Sequence, residues 1–186
     1  MNPAKVLVVT LLAGTLSIGI ALFGERWLAE HDAVGIASNR AGDTINSLPD
    51  IRLTDTTGRE IASNSWAGKV VLLNFWATWC PPCLREMPML EQLQQGFDTG
   101  QLQVVGIAID DADSVRRFLD ENSINYQILF GDASSVELSK RLGNRTSGLP
   151  FTVVFDRVGR LVFSHTGEIT SAEIRAHVLP LLDAES

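Results

Sequence analysis

The chain has 186 residues, of which 45% are hydrophobic and 20% charged, and carries a formal net charge of −7. That length holds one domain of ordinary size plus an appendage. No Lys/Arg cluster occurs anywhere, which excludes the electrostatic footprint of a nucleic-acid binder; acidity here fits the solubility of an exported domain.

In chain order, the first element is an uncharged run from Val6 to Phe23, 18 residues long, enough to cross a bilayer core as a helix. Lys5 precedes it, and Glu25, Arg26, Glu30 and Asp32 follow. The positive-inside bias then puts the N-terminus in the cytoplasm and the rest across the membrane. A cleaved signal peptide is the competing reading, but the run exceeds the usual apolar core and Ala21-Leu22-Phe23 is a poor cleavage site. The expected organisation is an N-terminal transmembrane anchor over 1–24, a linker over 25–47 rich in small and polar residues, and a domain over 48–186.

Within the domain, Ile51 to Thr54 and Glu60-Ile61 flank Asp55-Thr56-Thr57-Gly58 as a hairpin. Val70 to Trp76 reads as a buried strand, and Leu84, Met87, Leu90 and Leu93 as the apolar face of a helix. Leu102 to Ile109 is a second strand, followed by a helix capped at Asp111 or Asp113. Gln127 to Phe130 is a short strand. Ser134-Ser135-Val136-Glu137 predicts a capping box for a helix ending near Gly143. Phe151 to Phe155 and Leu161 to His165 pair around Asp156 to Gly159, and Thr170-Ser171-Ala172-Glu173 caps one last helix. Together these predict an α/β fold, a mixed sheet with helices on both faces.

The chemistry concentrates at Trp79-Cys80-Pro81-Pro82-Cys83, which holds the chain's only two cysteines. Cys80 falls at the start of the helix, where unpaired N–H groups and the positive dipole end stabilise a thiolate. It is the candidate nucleophile, and Cys83, one turn further in, the resolving thiol. Half a zinc site is the rival, but no other cysteine exists and His31, His165 and His177 are scattered; no metal is expected. A purely structural disulfide closes too short a loop to restrict the unfolded chain much. Pro81 and Pro82 fit a first helical turn and remove two donors from the thiolate, which makes them redox-tuning residues. Glu86 shares a helical face with Cys83 and can accept the proton Cys83 must lose. Pro88, in mid-helix, is structural.

The segment Leu73 to Pro88, with Gly148-Leu149-Pro150-Phe151-Thr152 and the Phe155-Asp156…Gly159 hairpin, resembles thioredoxin-like proteins. Specifically, it is similar to the membrane-anchored TlpA/ResA/CcmG (DsbE) branch of thiol-disulfide reductases, over roughly residues 48 to 182. The resemblance implies a thioredoxin-like fold, a proton-transfer role for Glu86 and a cis bond at Leu149–Pro150. It also implies substrate docking at Trp79, Leu149 and Pro150. Asn74 departs from thioredoxin proper, which has a buried aspartate there; asparagine cannot exchange protons, so more rests on Glu86 or on water. The activity implied is extracytoplasmic disulfide reduction through Cys80 and Cys83 with no bound cofactor, the domain facing the periplasm from the inner membrane. Implied partners are cysteine-containing exported proteins, of the cytochrome c maturation or copper-oxidase assembly type, and a membrane electron donor of the CcdA/DsbD kind. The alternatives are a disulfide-forming oxidase or isomerase, and a non-catalytic copper-delivery or docking module on the same fold.

Overall fold

The computed structural model describes residues 45–183. The expected membrane segment over 6–23 and nearly all of the expected linker lie outside the described residues. Among the described residues no helix is long and apolar enough to cross a membrane.

Among the described residues, seven strands and five helices follow one another. They are β1 (Arg52–Asp55), β2 (Glu60–Ala62), β3 (Val70–Trp76), α1 (Pro81–Gln95), β4 (Leu102–Ala108), α2 (Ala112–Glu121), β5 (Gln127–Phe130), α3 (Ala133–Arg141), β6 (Phe151–Phe155), β7 (Leu161–Thr166), α4 (Ser171–His177) and α5 (Leu179–Asp183). A 3₁₀ turn, Ser63–Trp66, links β2 to β3. The strands form one sheet in the order β2-β1-β5-β4-β3-β6-β7. β3, β4 and β5 run parallel, while β6 pairs antiparallel with β3 and β1 antiparallel with β5.

β3 is central, and all seven of its residues are buried, which is why it reads as a continuous apolar run rather than an alternating one. Alternate side chains serve two cores. Val70, Leu72 and Trp76 pack with Met87 and Leu90 of α1, Val115 of α2 and Ile174 of α4. Val71, Leu73 and Phe75 pack on the other face with Trp66, Leu142 and Phe151. Asn74 therefore faces α1 by the two-residue period of a strand.

Most boundaries match the sequence reading; three details differ. α3 is capped by Asp132, which exchanges hydrogen bonds with Ser135 in a capping box, so the expected box at Ser134 and Glu137 is corrected. A stronger Asx cap two residues earlier takes the N-terminus. The single terminal helix is two, α4 and α5, split at Val178. Pro180 has no N–H with which to continue the α4 ladder. At the other end, Ile45 N–H donates to the Arg141 carbonyl and Ser47 bridges Arg160, so the last linker residues dock on the domain.

Candidate active site

The dithiol sits where β3 ends and α1 begins. Cys80 is the helix N-cap, and Pro81 and Pro82 occupy the first turn, where a missing N–H costs nothing. The two cysteines form a disulfide with Cα atoms 5.3 Å apart. Cys83 N–H points at Cys80 Sγ, 3.4 Å away, a donor aimed at whatever charge develops on that sulfur. Cys83 is fully buried and Cys80 is 4% exposed, the order expected of a resolving and an attacking thiol.

Trp79 stands out from this corner, 66% exposed. Its turn is pinned from the loop after β4: the Thr78 N–H donates to Asp110 Oδ2 at 2.9 Å, and the Thr78 hydroxyl donates to the same oxygen. Across from Trp79, Leu149 precedes a cis peptide bond to Pro150. Trp79 and Leu149 line a groove of about 350 Å³ with Ile109, Val136 and Gly148 among its other walls. Asn144 braces the approach, donating to the Gly148 carbonyl at 2.9 Å and accepting from the Gly148 N–H at 3.1 Å.

Glu86 lies one turn below Cys83 on α1, only 2% exposed. Oε1 accepts from Asn74 Nδ2 at 2.6 Å, and Oε2 accepts from the Ile169 N–H at 2.7 Å. Asn74 Nδ2 also donates to Thr152 Oγ1 at 3.0 Å. Burial pushes the Glu86 carboxyl up to about 7; the two hydrogen bonds oppose this, and the Glu168 and Glu173 charges reinforce it. The neighbouring Arg85 grips Glu168 through Nε and Nη2 at 2.9 and 2.6 Å. Adjacent residues of α1 thus hold adjacent residues of the β7–α4 loop. The Gly167 N–H ties that loop to the Pro150 carbonyl at 2.8 Å.

Cys80, Pro81, Pro82, Cys83, Glu86, Trp79, Leu149 and Pro150 are thus built around one corner of the domain. The sequence reading did not find Asp110, Thr152 or Ile169. Each is distant in the chain from its partner, and the Asp110-Asp111-Ala112-Asp113 run drew attention only as a helix cap. His165 and His177, scattered in sequence, flank the Phe163 ring at 6.2 and 4.3 Å between centroids. His165 Nδ1 also lies 3.0 Å from Glu173 Oε1.

Residues 40–177 match the family described as Redoxin. The chain belongs to that family. Within it, the chain is of the thioredoxin-like TlpA/ResA/CcmG type. It is 29% identical to a thiol-disulfide oxidoreductase ResA of Geobacillus kaustophilus, over 90% of either chain. With the thioredoxin-like protein YneN of Bacillus subtilis it shares 33% identity, over 68% of this chain and 73% of that one. A crystal structure of a putative thiol:disulfide interchange protein DsbE from Chlorobium tepidum superposes with a TM-score of 0.65 at 26% identity. That match spans 75% of this chain and 98% of the other. This Redoxin-family chain is a thiol-disulfide oxidoreductase of the ResA/DsbE type.

Proposed function

We propose that the chain works mainly as a disulfide reductase on exported client proteins. The observation carrying this reading is a buried carboxyl, Glu86, poised at about 7 one turn below the resolving cysteine. In the cycle, the reduced Cys80 thiolate attacks a client disulfide, forming a mixed disulfide and releasing one client thiolate. Glu86 takes the proton from the Cys83 thiol. The Cys83 thiolate attacks Cys80 Sγ, the second client sulfur leaves, and the electron pair has passed to the client. The Cys80–Cys83 disulfide remains, and the sulfurs themselves carry the electrons, so no bound cofactor is needed. A carboxyl held near neutrality suits this shuttle, because it is neither permanently charged nor permanently protonated at working pH.

Pro81 and Pro82 leave the Cys80 thiolate fewer donors and tune its potential. Trp79, Leu149 and Pro150 dock the client segment along the groove, Leu149 offering backbone to an extended strand. The anchor over 6–23 places the domain on the periplasmic side of the inner membrane. There, a membrane electron donor of the CcdA/DsbD kind recharges the dithiol, and the clients are proteins of cytochrome c maturation or copper-oxidase assembly. A redox titration tests the direction. A strongly reducing potential supports the reductase, whereas a value near the ~−120 mV of DsbA would turn the assignment to an oxidase.

A further inference from the structure

Three consecutive residues of the β7–α4 loop each make one polar contact with the site. Gly167 donates to the Pro150 carbonyl, Glu168 accepts from Arg85, and the Ile169 N–H donates to Glu86. Gly167 turns the chain at φ 113°, a conformation open to glycine at little cost. The Ile169 side chain is buried in the core that also holds Cys80 and Cys83. The N–H that stabilises the Glu86 carboxylate is thus fixed one residue from the Glu168 carboxylate, which opposes it.

The other groups facing Glu86 are answered locally. On α4, Glu173 accepts from the Thr170 N–H and hydroxyl, both at 2.8 Å, and lies 3.0 Å from His165 Nδ1; His177 also favours its charge. Before β5, Tyr126 brings no charge, because burial pushes its hydroxyl up. Glu168 has one partner among the described residues: Arg85, whose Nε and Nη2 both reach Oε2, at 2.9 and 2.6 Å. One helical step of about 100° separates Arg85 from Glu86, so the guanidinium lies on the exposed surface while the Glu86 carboxyl is buried.

We propose that Arg85 and Glu168 are positioning residues for Glu86: Arg85 holds the Glu168 carboxylate at the surface and masks its charge, so that the loop brings Glu86 a backbone donor without a bare anion beside it. Arg85 acts through Glu168 and touches neither sulfur nor the Glu86 carboxyl. The pair is exposed to solvent, so its effect is modest in size and weakens with salt. Gly167 and Ile169 keep their own contacts when Arg85 is removed, so the variant retains the loop. This deepens the proposed proton-acceptor role of Glu86 and rests on that reading.

The test is a double-mutant cycle read on the Glu86 titration midpoint, by NMR of the full-length oxidised chain with ¹³C-labelled glutamate at low salt. Arg85→Ala raises the midpoint by a few tenths of a pH unit, and Glu168→Gln lowers it. Arg85→Lys, which keeps the charge, moves it less than half as far as Arg85→Ala. In the Glu168→Gln background, Arg85→Ala also moves it less than half as far. A midpoint unmoved by Arg85→Ala, or moved equally with and without Glu168, would overturn the proposal. Should the cycle behave as expected while Glu86→Gln leaves mixed-disulfide resolution unchanged, the pair's hold on Glu86 stands and the proton-acceptor role falls.

Discussion

Glu86 and Glu91, five residues apart on α1 and both buried, are shifted in opposite directions by their surroundings. Burial pushes both carboxyls up. Glu91 then accepts from the Asn125 and Tyr126 backbone N–H groups, from Asn125 Nδ2 and from Gln95 Nε2, at 2.7–3.2 Å. Those four donors outweigh burial and hold it below the usual range. Glu86 has two donors and faces two further carboxylates, so burial wins. Glu91 is a fixed anion that ties α1 to the segment leading into β5. Glu86, raised to about 7, is the carboxyl of the two that changes charge near neutral pH.

The kinetic consequence is that Glu86→Gln slows release of the client from the mixed disulfide by ~10–100-fold at neutral pH, within the usual range for a positioned proton acceptor. Attack by Cys80 keeps its rate. Stopped-flow measurement of both phases from pH 6 to 9 checks this, the wild-type resolution phase rising with pH through a midpoint near 7 and the variant losing that midpoint.

Stability follows the same carboxyl with a definite sign. Its value in the fold is raised to about 7 from 4.5, so the folded state holds a proton that the unfolded chain has released. Stability contributed by this group is full below about 4.5, is lost as pH rises towards 7, and stays lost above it. The difference is on the order of 3 kcal/mol. Urea melts of the oxidised chain at pH 5 and pH 8 show that loss in the wild type, and Glu86→Gln removes most of it.

Asn74→Asp sets a second carboxyl against Glu86, where the amide nitrogen now donates at 2.6 Å. Two carboxylates so close cannot both ionise, and one is pushed well above 7. The variant titrates as a coupled pair, and its resolution step shifts to higher pH by about one unit or more. Titration by ¹³C NMR of both carboxyls reads the shift directly.

Docking and chemistry separate at Asp110. Asp110→Asn weakens the charge-assisted bonds that hold the Thr78 turn, loosening exposed Trp79 without touching sulfur. Reduction of a protein disulfide then loses a few-fold, up to ~10-fold, in kcat/KM. Reaction with a small aromatic disulfide, which needs no docking surface, changes little. A comparison of the two substrates on one preparation decides it.

Local features were legible in the sequence, and long-range ones were not. The CxxC spacing, the apolar run of β3 and the Thr170–Glu173 capping box each act within a few residues and appear where expected. The α3 cap was misplaced because Asp132 and Ser134 open overlapping frames and only the fold shows which side chain reaches an N–H. Glu86 stands out by its helical face, but one of its two hydrogen bonds comes from the Ile169 N–H, 83 residues away. No pattern in the chain announces that contact, nor the one between Thr78 and Asp110.

In the proposed cycle Cys80 attacks and Cys83 resolves, and trapping of the mixed disulfide separates the two roles. The reduced full-length chain is mixed with a disulfide-bonded client and quenched, and its adducts are read by non-reducing mass spectrometry. Cys83→Ala should accumulate a client disulfide-linked through Cys80, while Cys80→Ala should form almost none. Equal trapping in both variants, or trapping through Cys83 alone, would contradict the account.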